Sequence, residues 1–170
     1  LRDNSSKKDL VIARSNQLQV HWNQNNIITG SQQNILGDAN LITKGKFNFE
    51  DTREDVAIKN GSNVLIYQNQ GDGYLNSVPS SFPYNVTNFK LRQMTDVVDE
   101  NFPANSADRD DIIFYNSSDN IIYVYKNNNS NGFISAPMAV ISNVGYPIVG
   151  FEVADIDNDG YNDIIVAGSS

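Results

Sequence analysis

The sequence predicts an all-β fold assembled from repeated small sheets, and three observations carry that prediction. First, an Asp followed by an apolar, largely β-branched run recurs along the chain: Asp9-Leu-Val-Ile-Ala, Asp55-Val-Ala-Ile-Lys, Asp111-Ile-Ile-Phe-Tyr and Asp163-Ile-Ile-Val-Ala. Second, clusters of Asn, Ser, Gly and Gln punctuate the chain between apolar runs, and these residues favour tight turns. Third, no stretch combines the 3.6-residue apolar period with helix caps.

Each repeat reads the same way. The anchor run is short, apolar and β-branched, which predicts a strand buried on both faces. A polar turn follows at Arg14–Gln17, Asn60–Asn63 and Asn116–Asn120. Next come the alternating runs Leu18–Trp22, Val64–Tyr67 and Ile121–Tyr125, each ending on an aromatic. Anchor and alternating run therefore pair as a hairpin. Second polar turns lie at Asn23–Asn26, Gln68–Gly73 and Lys126–Gly132, and two copies go on as Gly73-Tyr74-Leu75 and Gly132-Phe133-Ile134. The rest of each repeat has room for two more strands. Four strands per unit of about 50 residues is the arithmetic of a β-propeller blade.

The predicted architecture is thus a single propeller segment over residues 1–170. Its approximate units are 1–40, 41–85, 86–145 and 146–170, with the first and last incomplete. That is a partial ring of antiparallel blades, about three blades' worth of strands. Closing a ring requires further blades, from a longer chain or from a second copy.

Composition narrows the function classes. The 170 residues are 39% hydrophobic and 19% charged, as in ordinary globular domains. The formal net charge of −8 argues against a nucleic-acid partner and suits bound cations. No apolar run has the length of a membrane span. With no cysteine, thiolate metal sites and disulfides are excluded. His21 is the only histidine, so neither a Ser/His/Asp triad nor a His-rich zinc site can be built. Its place in the run Leu18–Trp22 predicts a half-exposed strand residue. Trp22, Tyr67 and Tyr125 recur at one position, which favours packing between blades over a sugar platform. No enzymatic constellation emerges.

The motif with chemical content is Asp155-Ile-Asp157-Asn-Asp159-Gly160-Tyr161-Asn-Asp163. Alternating carboxylates bring hard oxygen ligands around one point, as Ca²⁺ requires. Gly160 permits the turn. Asp155, Asp157, Asp159 and Asp163 are the expected ligands, with the carbonyl of Tyr161 at the seventh position. An EF-hand loop begins alike but needs a Glu at its twelfth position. Here that residue is Val166, inside an apolar run, so the loop joins two strands instead.

The earlier copies of the loop are degenerate. Before Asp55 the matching positions are Phe47, Phe49, Asp51 and Thr52, and before Asp9 they are Leu1, Asp3, Ser5 and Ser6. Both are expected to be metal-free turns. The third copy is expanded, and Asp96, Asp99 and Asp111 are candidates for a weaker, rearranged site.

Asp155–Val166, together with the stretch Tyr67–Tyr74, resembles the FG-GAP/VCBS repeat family, whose loops lie between the first two strands of a blade in propellers such as the integrin α-subunit head. The resemblance implies a calcium-stabilised propeller, secreted or at the cell surface. It implies a non-catalytic adhesion or recognition module for a protein or glycan ligand. The other reading is a lectin-like propeller, or an accessory domain of a secreted polysaccharide-degrading enzyme.

Overall fold

The computed structural model describes residues 9–14, 17–24, 27–36, 41–47, 53–61, 63–71, 74–82, 88–92, 109–127, 137, 139–142, 144–159 and 162–169. All regular structure among them is β. The chain forms two compact units, residues 1–44 with 53–85 and residues 45–52 with 86–170.

The first unit holds two antiparallel sheets. One has the order β1 (Leu10–Arg14), β2 (Gln17–Gln24), β3 (Ile27–Leu36). The other has the order β4 (Ile42–Gly45), β5 (Asp55–Asn60), β6 (Asn63–Tyr67), β7 (Ser80–Phe82). The anchor run and the alternating run pair as expected, with Val56 opposite Tyr67 and Asn60 opposite Asn63. Gly61 turns this hairpin at φ 57°, a conformation open to glycine without steric cost. Leu18, Val20 and Trp22 pack with Val56, Ile58, Tyr67 and Leu75 into one core.

The second unit repeats the scheme. Strands β8 (Asn88–Arg92), β9 (Asp111–Asn116), β10 (Ile121–Tyr125) and β11 (Ala139–Ile141) form a four-stranded antiparallel sheet in chain order. Strands β12 (Ile148–Ala154) and β13 (Asp163–Gly168) form a two-stranded sheet. Ile113, Tyr115, Ile122 and Val124 pack against Ile148, Phe151 and Val153. Ile113 and Ile122 are fully buried. Each such aliphatic side chain contributes about 1.5–3 kcal/mol through burial. The fold is therefore all-β, and its four-stranded meanders are blades of the propeller type.

The aromatics at the recurring position are structural. Trp22, Tyr67 and Tyr125 are all buried. Trp22 meets Tyr74 edge-on at 5.1 Å, and Tyr125 stacks on Phe114 at 5.2 Å. His21 is half-buried, as expected for its place in β2.

The anchor strands are not equivalent, which corrects one expectation. Strands β5 and β9 are buried on both faces along most of their length. In β13, Ile164 and Val166 pack against the core while Ile165 and Ala167 are exposed. In β1, Val11 and Ala13 pack inward while Leu10 and Arg14 are exposed. An apolar run records what a strand can bury, whereas its neighbours decide what it does bury.

Candidate metal centre

The acidic loop lies between β12 and β13, which pair from Ala154–Asp163 inward. Both flanks are held by the core, since Phe151 and Val153 are buried and Ile164 packs beside them. The loop itself is exposed from Asp155 to Asp159. Asn158 has φ 60°, a left-handed conformation that Asn adopts more readily than most residues.

Within this loop, Asp155, Asp157 and Asp159 each offer a carboxylate oxygen, and these oxygens lie within 4.8 Å of one another. One backbone group gathers two of them: the Asp159 N–H donates to Asp155 Oδ1 and to Asp157 Oδ1, at 3.2 Å each. Ca–O distances of 2.3–2.6 Å allow ligands of one ion to stand up to about 5 Å apart. The spread of the three oxygens fits a shared cation. Without one, carboxylates at this range repel by about 1 kcal/mol per pair even in water. The donor set is hard oxygen, which suits Ca²⁺ and not a thiophilic metal.

Asp163, the first residue of β13, is half-buried, and its Oδ2 accepts the Ile156 N–H at 3.0 Å. It thus closes the loop by a hydrogen bond through Oδ2. Tyr161, Asp96 and Asp99 lie outside the described residues. Asp111 is buried, and its Oδ1 accepts the Asn127 N–H at 2.8 Å.

That last contact belongs to a recurring clasp. Asp9 Oδ1 accepts the Asn23 N–H and Asp55 Oδ1 accepts the Asn69 N–H, again at 2.8 Å. In the last two copies the Asn side chain also works. Asn69 Nδ2 donates to Glu54 O at 3.2 Å, and Asn127 Nδ2 donates to Phe47 O at 2.9 Å. Asp9, Asp55 and Asp111 thereby each tie the start of a strand to the chain leaving its hairpin. The readable signal was an Asn 14 or 16 residues beyond each of these anchors. Sequence reasoning treated those Asn residues only as turn formers.

A second missed residue is Asn120, in the β9–β10 turn at φ 58°. Its Oδ1 accepts the Ile148 N–H at 2.8 Å and the Tyr115 hydroxyl at 3.0 Å. Its Nδ2 donates to Tyr146 O at 2.9 Å. This clamp fixes the start of β12, the strand that leads into the acidic loop.

With strand–loop–strand geometry and the acidic triad established, comparison with known families is decisive for one segment. Residues 105–166 match the model of the FG-GAP-like repeat. This segment is an FG-GAP-like repeat. It runs from just before β9 through the acidic loop to Val166 in β13, so the triad lies inside the repeat. No curated protein matches the chain.

Proposed function

We propose that the loop Asp155–Asp163 binds Ca²⁺ and that the chain is a non-catalytic recognition module, secreted or displayed at a cell surface, for a protein or glycan ligand. The observation that carries the calcium reading is the convergence of Asp155, Asp157 and Asp159 on an exposed loop between two strands. Asp163 and the carbonyl of Tyr161 complete the proposed ligand set. The ion supplies positive charge that offsets the repulsion among the carboxylates and ties β12 to β13. The FG-GAP-like repeat supports the module reading, because repeats of this kind typically serve as non-catalytic propeller blades.

Calorimetric titration with Ca²⁺ tests the site. One binding event that disappears in Asp157→Ala and in Asp159→Ala supports it, and no heat of binding in the wild-type chain refutes it. A glycan array and a protein-ligand screen, each run with Ca²⁺ and with EDTA, test recognition. Turnover of a polysaccharide by this chain would overturn the non-catalytic assignment.

A further inference from the structure

We draw no further inference here: the strongest candidate, the exposed apolar face of the β12–β13 sheet around Val149, Ile165 and Ala167, carries nothing because nothing in the structure shows what covers it.

Discussion

Asp111 and Asp157 are carboxylates within one FG-GAP-like repeat, yet they face opposite situations. Asp111 is buried at the head of β9 and accepts a backbone N–H. Asp157 is exposed and faces two other carboxylates. The first is satisfied by the protein itself, as are Asp55 and Asp9. The second has one backbone N–H, from Asp159, shared with Asp155. One side-chain type thus serves two purposes, and burial separates them. A carboxylate enclosed with its donor is a structural fastener, whereas carboxylates gathered in the open offer oxygens that a cation could share.

The widest separation between the two is expected from deleting the fastener. Asp111→Ala removes an acceptor and leaves the Asn127 N–H buried without its partner, at a cost of about 3 kcal/mol. Urea unfolding is expected to show that loss equally in Ca²⁺ and in EDTA. A calcium-dependent loss would erase the distinction drawn above.

Calcium is expected to act next most strongly. At a free concentration of 100 times Kd, a ligand that binds only the folded state stabilises it by about 2.7 kcal/mol. The melting temperature of the wild-type chain should rise accordingly on adding Ca²⁺. That of Asp157→Ala should not move, while Asp111→Asn should retain the rise. An equal response in both variants would mean that the ion binds elsewhere.

Asn120→Gly gives a smaller effect. Glycine keeps the left-handed turn, so the loss comes from the side-chain hydrogen bonds to Ile148, Tyr115 and Tyr146. About 1–2 kcal/mol is expected from urea unfolding. Because this clamp sits at the far end of β12 from the triad, calorimetric calcium affinity should stay unchanged. A tenfold weakening would show that the clamp positions the loop.

The smallest effect lies in the triad without metal. In EDTA, Asp157→Asn removes one of three mutually repelling charges, so a slight rise in melting temperature is expected. High salt screens exposed charges and should abolish that rise. A lowered melting temperature at low salt would show that the hydrogen bond from the Asp159 N–H to Asp157 outweighs the repulsion.

Much of this was legible in the sequence. The anchor runs at Asp55 and Asp111 announced β5 and β9, and the alternating runs announced β6 and β10. Val166 at the twelfth loop position separated this loop from an EF-hand, and it does lie within β13. Spacing within a loop is local, so Asp155, Asp157 and Asp159 could be grouped without knowing the fold. What local spacing does not reveal is the partner of a buried group. The roles of Asn69 and Asn127 depend on where a hairpin returns, and Asn120 depends on the approach of β12. Likewise, the exposure of Ile165 depends on neighbours and not on its own run.

The clasps also bear on how the chain acquires its structure. Each joins residues only 14 or 16 positions apart, so closing it costs little chain entropy. Contacts this local favour rapid folding. A sheet fastened within its own hairpin can nucleate before distant strands arrive, in the manner of repeat proteins whose units form and then propagate. Slow steps should therefore fall on pairings without such a fastener.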